Sequence, residues 1–283
     1  MEVDQQAGTV SQFHFGCRAI YTAPSCGRQR TANHFSEPLD RAASATRFQH
    51  FDGPNLVRTS ESSVLDRSAA PEKTGVSWED LPCIDAVLIS HNHYDHLDLP
   101  TLRRLAARGG STFIVPAGGA RLLHSENIRP THELDWGESL SLPGFTIHCV
   151  PALHFSSRGI YDRNMTLWCG YMIECQERLV YFAGDTAFGG HFAQIREKFG
   201  APRLALLPIG AYEPRWFMSP VHMAPDEALR AHEIMAAKTS IAIHHGTFQL
   251  SDEGIGTPEK QLIACAQHES FLVLKNGQFA NIP

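Results

Sequence analysis

The chain has 283 residues, of which 43% are hydrophobic and 19% are charged, and its formal net charge is −6. A chain of this length can bury roughly three quarters of its unfolded surface in one large domain, and its acidic balance argues against a nucleic-acid partner. No apolar run approaches the roughly 20 residues of a membrane-spanning helix, and the first ten residues lack the apolar stretch of a secretory signal. We therefore expect neither an integral membrane protein nor a secreted one.

Cysteine and histidine usage indicates a reducing compartment and metal binding. The seven cysteines are odd in number and form no C-x-x-C pair, which argues against a disulfide framework and favours a cytoplasmic location. Histidine is the unusual residue: the chain has 16, and twelve of them lie between His91 and His245. In an acidic chain, this excess first suggests imidazole ligands for a metal ion.

Residues 1–79 differ in character from the rest of the chain. They are rich in serine, alanine, arginine and glutamine, and their apolar runs are short. We predict an irregular N-terminal segment over these residues, with one strand near residues 55–57. A regular pattern begins at about residue 80, and residues 80–283 are assigned to one folded domain.

Short apolar runs and two helical patterns follow along this second part. The run at 84–90 predicts a buried strand, and Pro100 suits the first turn of a helix that reaches about residue 108. A second helix is predicted over 225–238, where acidic residues suit the positive end of the helix dipole. Further strands are predicted at residues 113–116, 146–151, 167–174, 179–183, 204–209, 241–244 and 271–274, with a hairpin turn at 174–178. This order predicts an α/β sandwich whose strand ends carry histidines.

The strongest chemical signal is the string HNHYDHLD at residues 91–98, directly after the predicted strand at 84–90. Three histidines and a carboxylate within six residues can converge on a compact site, since neutral imidazole and carboxylate are donors for zinc and similar ions. His91 and His93 can point to one ion, while Asp95 and His96 turn toward a second. The intervening Tyr94 is interpreted as packing support.

An H-x-H-x-D-H string after an apolar strand resembles the signature of the metallo-β-lactamase superfamily. The fuller string LISHNHYDHLD is similar to the branch that contains N-acyl-phosphatidylethanolamine-hydrolysing phospholipase D and its microbial relatives. Four later strings agree in order: VPALHFSSRGIYDRNMTLW (150–168), YFAGDTAF (181–188), PIGAYEPRWFMSPVHMAPDEA (208–228) and IAIHHGTFQL (241–250). The resemblance covers about residue 78 onward and implies a four-layer αβ/βα metallohydrolase sandwich.

The resemblance implies two zinc ions per chain, or other divalent ions in their place, held by seven side chains. The residues that match the ligands of the first ion are His91, His93 and His154. Those that match the ligands of the second ion are Asp95, His96 and His244. Asp185, in the A-G-D-T turn, matches the carboxylate that bridges both ions.

The resemblance also implies which residues act on the substrate. Asp95 and Asp185 would orient the nucleophile as catalytic groups, and His222 would hydrogen-bond the phosphate or protonate the leaving oxygen. The candidate substrate-binding residues lie in one loop and are Tyr212, Arg215 and Trp216. Arg215 could clamp a phosphate, but an internal ion pair with Glu213 or another acid is an open alternative.

The implied activity is that of a metal-dependent phosphodiesterase of the phospholipase D type. It would hydrolyse an N-acylated phospholipid to an N-acylethanolamine and phosphatidic acid, so the expected partner is a phospholipid or another small phosphodiester and not nucleic acid. Peripheral membrane contact and a homodimer are compatible with this activity.

Two alternatives to this activity stay open. A small-molecule metallohydrolase such as a lactonase would use the same ions on a carbonyl group. An inactive relative is the second alternative, because residues 1–79 lack the glycine-histidine turn and the acidic D-P loop that family members carry.

Overall fold

The strands of the chain form three sheets in the computed structural model, which describes residues 13–16, 45–48, 77–176, 178–265 and 270–282. A two-stranded antiparallel sheet contains β1 (Phe13–Gly16) and β2 (Ala45–Phe48). A parallel sheet contains β3 (Ala86–Leu88), β4 (Thr112–Pro116) and β5 (Thr131–Leu134). The largest sheet contains seven strands: β6 (Ser139–Leu142), β7 (Phe145–Val150), β8 (Gly170–Cys175), β9 (Arg178–Phe182), β10 (Leu204–Pro208), β11 (Thr239–Ile243) and β12 (Phe271–Leu272).

Helices connect the parallel strands. The six helices of the described residues are α1 (Leu99–Arg108), α2 (Ala120–Ser125), α3 (His191–Phe199), α4 (Arg215–Met218), α5 (Pro225–Met235) and α6 (Thr257–Cys265). In the seven-stranded sheet, β6 to β9 pair antiparallel and β9 to β12 pair parallel, and each parallel crossover contains a helix. Among these helices, none combines the length and apolarity needed to cross a membrane.

Alternation of side chains along the strands places apolar residues on both faces of the two larger sheets. In β10, which is buried throughout, Leu204 and Leu206 belong to the core between the sheets, whereas Ala205 and Leu207 belong to the core under the helices. Ile114 of β4 joins the inter-sheet core from the opposite side.

The outer faces of both sheets are covered by helices. Phe192 of α3 and Met235 of α5 pack on the seven-stranded sheet, while Leu105 of α1 and Leu123 of α2 pack on the three-stranded sheet. The layers therefore run helix, sheet, sheet, helix, which confirms the predicted α/β sandwich.

The predicted helices and hairpin are confirmed, with small differences at their ends. α1 contains Pro100 in its first turn, and α5 starts at Pro225 as predicted. α5 ends at Met235 and not at residue 238, because Ala236 adopts a left-handed conformation with φ of 48°. β8 and β9 form the antiparallel hairpin, with Cys175 opposite Arg178.

Shorter elements escape prediction from the sequence, namely β1, β2, β5, β6, α2, α3, α4 and α6. None of them exceeds nine residues, and polar side chains interrupt their apolar pattern; β5, for example, exposes His132 and Glu133. The strand predicted near residues 55–57 lies outside the described residues. The division into residues 1–79 and 80–283 stays a prediction.

Cys149 of β7, Cys169 directly before β8 and Cys175 of β8 are buried. Cys149 and Cys169 carry free thiols, and burial raises the pKa of the Cys169 thiol well above its usual range, which keeps it protonated and unreactive. Cys175 is disulfide-bonded, which the odd cysteine count does not predict.

The start of α1 depends on an N-cap that also ends the 91–98 string. The Asp98 carboxylate accepts hydrogen bonds from the backbone N–H of Thr101 at 3.0 Å and from its hydroxyl at 2.6 Å. Replacing Asp98 by alanine leaves the Thr101 N–H without its acceptor and should lower the free energy of unfolding by about 1 kcal/mol. Urea unfolding of the metal-free protein measures this loss. Asp98→Asn is the control, because asparagine caps as well as aspartate; equal losses in both variants would contradict the capping role.

Candidate metal centre

The turn after β3 brings His91 and His93 together. His91 is 1% exposed, and its Nδ1 lies 2.9 Å from the Ser90 hydroxyl. Its Nε2 lies 2.9 Å from Nδ1 of His93. Ser90 is itself held by the residue that precedes β8, because its carbonyl accepts a hydrogen bond from the backbone N–H of Cys169.

His154, four residues beyond the end of β7, completes a group of three imidazoles. Its Nε2 lies 3.3 Å from His93 Nδ1. Its Nδ1 lies 3.0 Å from the Val221 carbonyl, and because a carbonyl only accepts, Nδ1 carries the hydrogen. The Nε2 lone pair is therefore free to face His93, which is how an outer hydrogen bond orients a ligand histidine.

A second group forms around Asp95. Its Oδ2 lies 3.2 Å from His96 Nε2 and 3.5 Å from His244 Nε2. His244 follows β11 in a left-handed conformation with φ of 58°. Its carbonyl lies so close to Gly210 that a Cβ there would approach it to 2.0 Å, so this approach requires glycine.

Asp185 lies between the two groups, in the turn after β9. Its Oδ2 is 3.9 Å from His91 Nε2 and 3.7 Å from His154 Nε2. The same oxygen is 3.1 Å from His96 Nε2 and 3.3 Å from His244 Nε2. The turn requires Gly184, which has φ of +61° and whose added Cβ would lie 2.6 Å from the Ser90 Cβ.

The structure therefore brings together all seven side chains that the sequence predicts as metal ligands. They fall into the sets His91–His93–His154 and Asp95–His96–Asp185–His244, whose ligand atoms lie within 4.8 Å of one another. The Asp185 Oδ1 atom is buried and accepts no hydrogen bond from the described residues. Imidazole nitrogens and carboxylate oxygens are donors suited to zinc and similar ions, so these residues fit a metal centre. Their individual roles stay a prediction.

Burial keeps the first group of imidazoles neutral. It lowers the pKa of His91 well below its usual value, and the neighbouring His96 and His154 lower it further. Burial also lowers the pKa of His93 and lowers that of His154 to about 4. Neutral imidazole is the form that binds a metal.

The second group is a network of charges in the metal-free protein. Burial by itself raises the pKa of Asp185, but His244 and His96 outweigh it and hold the pKa well below its usual range. Burial likewise lowers the pKa of His244, but the carboxylates of Asp185 and Asp95 outweigh it and raise the pKa to about 9. The same two carboxylates raise the pKa of His96 well above its usual value against the effect of burial. A cation can take the place of these protons.

His222, predicted to act near the substrate, lies beside both groups. Its ring stacks on His244 with centroids 5.4 Å apart and contacts His154 edge-on at 5.0 Å. It is 7% exposed, and its Nδ1 has no hydrogen-bond partner among the described residues. Burial lowers the pKa of His222 to about 3.

Of the predicted substrate-binding residues, Arg215 has internal partners. Its guanidinium donates to the Glu227 carboxylate at 2.7 Å and to the carbonyls of Tyr212 and His222 at 3.4 and 3.2 Å. This matches the internal ion pair that the sequence left open, although the acid is Glu227 and not Glu213. The guanidinium of Arg215 is therefore engaged in holding the loop that precedes His222 and is not free to bind a phosphate with both of its nitrogens.

The structure does not bring Tyr212 or Trp216 into the cluster. Tyr212 is 2% exposed, and its hydroxyl donates to Gln261 at 2.7 Å. Trp216 lies on α4 and is 82% exposed. A pocket instead lies beside the second group and is lined by Asp95, His96, His244, His245, Thr247, Phe248 and Leu250.

Sequence reasoning missed residues that hold the ligands in place. Ser90 and the Val221 carbonyl, which lie at hydrogen-bond distance from Nδ1 of His91 and Nδ1 of His154, orient these two side chains. A serine before a histidine and a backbone carbonyl carry no signal in a single sequence, because both act only through contacts made after folding.

Comparisons with known proteins show which sequences and structures the chain is similar to. A sequence model of the beta-lactamase superfamily domain matches residues 56–245. The chain is 41% identical over 183 residues to N-acyl-phosphatidylethanolamine-hydrolyzing phospholipase D 1 of Caenorhabditis elegans, covering 61% of this chain and 51% of that protein. It is 35% identical over 199 residues to the mitochondrial N-acyl-phosphatidylethanolamine-hydrolyzing phospholipase D of Saccharomyces cerevisiae, covering 68% and 42%. The chain thus spans about half the length of the curated relatives it matches.

Solved structures share the fold. An isothiocyanate hydrolase from Delia radicum gut bacteria superposes with a TM-score of 0.62 over 85% of this chain and 93% of that one, at 18% identity. At this identity the likeness concerns the fold alone.

Proposed function

Since the chain belongs to the beta-lactamase superfamily, as its H-x-H-x-D-H string predicted, we propose that it is a metal-dependent hydrolase with two ions per chain. The observation that carries this proposal is the place of Asp185. One of its oxygens lies within 4 Å of imidazole nitrogens from both groups, which suits a carboxylate shared by two cations. We propose zinc, because imidazole and carboxylate are its common ligands; other divalent ions accept the same donors.

Two divalent ions in such a site would supply an activated water and polarise a phosphoryl oxygen. The chain's own residues would hold the two ions and orient the attacking water and the phosphate. Asp95 and Asp185 would orient the attacking water through their carboxylate oxygens, and His222 would hydrogen-bond the phosphate or pass a proton to the leaving oxygen. The buried position of His222 beside His154 and His244 supports this role.

The reaction we propose is hydrolysis of the phosphodiester of an N-acylated phospholipid. Water adds to phosphorus, the bond from phosphorus to the ethanolamine oxygen breaks, and that oxygen takes up a proton. The products are an N-acylethanolamine and phosphatidic acid. Support comes from the two curated phospholipases D, at 41% and 35% identity over part of their length.

We propose that lipid reaches the site at the membrane surface through peripheral contact. Ile160 and Tyr161, in the loop after His154, are 85% and 92% exposed, and Trp216 and Phe217, in the segment before His222, are 82% and 62% exposed. Apolar side chains of this exposure can enter the headgroup region of a bilayer. A cytoplasmic location and a homodimer stay predictions.

The test is a comparison of substrates on zinc-loaded protein. Hydrolysis of N-acyl-phosphatidylethanolamine in mixed micelles, with release of N-acylethanolamine measured by mass spectrometry, is expected to exceed hydrolysis of an acyl lactone under the same conditions. Addition of a chelator should abolish the activity, and re-addition of zinc should restore it. Activity on the lactone alone would show that the chain is a lactonase and not the proposed phosphodiesterase. Absence of metal-dependent activity on both substrates would contradict both proposed reactions.

A further inference from the structure

Arg158 closes the turn that carries four of the seven candidate ligands. Its Nη1 donates to the carbonyl of Asn92 at 3.0 Å and to the carbonyl of Leu97 at 2.8 Å. Asn92 stands between His91 and His93, and Leu97 follows His96 directly. One nitrogen therefore joins the two ends of the ligand turn.

The guanidinium of Arg158 also covers the outer side of this turn. Its Cζ lies 4.0 Å from the centroid of the Tyr94 ring, within the distance of a cation–π contact. Tyr94 is 46% exposed, so the guanidinium covers a ring that is partly open to solvent. Within the turn itself, the backbone hydrogen bonds run from the N–H groups of His96 and Leu97 to the His93 carbonyl.

The loop that carries Arg158 is itself held by hydrogen bonds. The Asp162 carboxylate accepts hydrogen bonds from the backbone N–H of Arg158 at 3.0 Å and of Gly159 at 2.7 Å. The Asn164 N–H donates to the Ser156 carbonyl at 2.8 Å. Four residues before Arg158 stands His154, so the arginine connects the segment of one ligand to the turn that carries four others.

We infer that Arg158 is a positioning residue for the metal centre, which fixes the turn at 91–97 against the loop of His154. The inference rests on the proposed function, because it assigns Arg158 to the geometry of the proposed ligands. Without the guanidinium, the buried Asn92 and Leu97 carbonyls lose their donor, and the imidazoles of the turn are free to depart from the arrangement that binds a cation. Loss of a group that orients metal ligands without binding the ion itself typically costs about 10- to 100-fold in metal affinity.

The experiment compares wild type, Arg158→Met, Arg158→Lys and a matched control, Arg108→Met. Arg108 also donates to a backbone carbonyl, that of Leu81 at 2.7 Å, and also lies over an aromatic ring, that of Trp78. Zinc dissociation constants are measured by competition with a chromophoric chelator, Tm by thermal unfolding of the metal-free proteins, and ligand geometry by the visible absorption of the Co²⁺-loaded proteins.

We expect Arg158→Met to raise the zinc dissociation constant by about 10- to 100-fold and to alter the Co²⁺ spectrum. Arg158→Lys should recover part of this loss, because an ammonium can donate to the carbonyls but cannot lie flat on Tyr94. Arg108→Met should leave both readouts within about twofold of wild type, whatever its effect on the metal-free Tm.

Two results would overturn the inference, and only one of them would also contradict the proposed function. If wild type binds zinc and Arg158→Met binds it as tightly with an unchanged Co²⁺ spectrum, Arg158 does not position the centre and the proposed function stands. If wild type binds no zinc, the proposed function falls and the inference with it. Should Arg158→Met not fold, Arg158→Lys decides, since an affinity and spectrum equal to wild type would count against the role.

Discussion

Replacing Asp185 by asparagine is expected to reduce bound zinc from about two ions per chain to one or none and to lower hydrolysis by more than about 100-fold, beyond what an outer partner costs. The reason is the single oxygen that faces His91 and His154 on one side and His96 and His244 on the other. An amide keeps the shape of the carboxylate but removes the charge that two cations would share. Elemental mass spectrometry of the purified protein and the phospholipid assay measure the two effects.

The control for this variant is Asp226→Asn. Asp226 is an exposed carboxylate in the first turn of α5 and belongs to neither ligand group, so zinc content should equal that of wild type. If Asp185→Asn retains two tightly bound zinc ions and full activity, Asp185 does not bridge a binuclear centre.

The metal-free protein should be most stable near pH 6.5. The pKa of His244 is raised to about 9 from its usual 6.5, so its contribution is fully present below 6.5 and is lost as the pH rises from 6.5 through 9. This contribution amounts to about 3 kcal/mol. The pKa values of His154 and His222 are instead lowered, to about 4 and about 3, so stability is also lost as the pH falls from 6.5 toward 3.

Thermal unfolding of metal-free and zinc-loaded protein between pH 5 and 9.5 measures this dependence. We expect the metal-free Tm to fall by roughly 5 to 10 °C between pH 6.5 and 9.5. The loaded protein should lack this alkaline loss, because the ion replaces the proton on His244. In metal-free His244→Gln the loss should be smaller. A metal-free Tm that is equal at pH 6.5 and 9.5 would contradict the charge network.

Local patterns in the sequence carried much of the fold. The buried run at 84–90 and the helix after Pro100 were predictable because apolar spacing and a terminal proline act within a few residues. Short or half-exposed elements such as β5 are stabilised by their neighbours in the sheet, so their own residues give little signal.

The candidate site divides in the same way. His91, His93, Asp95 and His96 are predictable from one contiguous string, whereas His154 and Asp185 stand out only through resemblance to other chains. Asp185 is central because the turn after β9 packs against the turn after β3. This contact between distant segments cannot be predicted from the spacing of residues in the sequence.

Arg215 illustrates the same limit. Glu227 occupies the third position of α5, and its carboxylate accepts a hydrogen bond from the backbone N–H of Ala224, a helix-start signal that can be read locally. That the same carboxylate also binds Arg215 depends on how the preceding loop folds back onto the helix.

The seven candidate ligands come from four separate stretches of chain, ending respectively at residues 96, 154, 185 and 244. An ion bound to them would act as a reversible cross-link that closes long loops, and it would withdraw chain entropy from the unfolded state. Because the unfolded chain offers no such cage, the balance between folded and unfolded molecules would follow the supply of free metal by mass action. The ligand atoms proposed to serve catalysis would thus also make the stability of the folded state depend on the concentration of free metal.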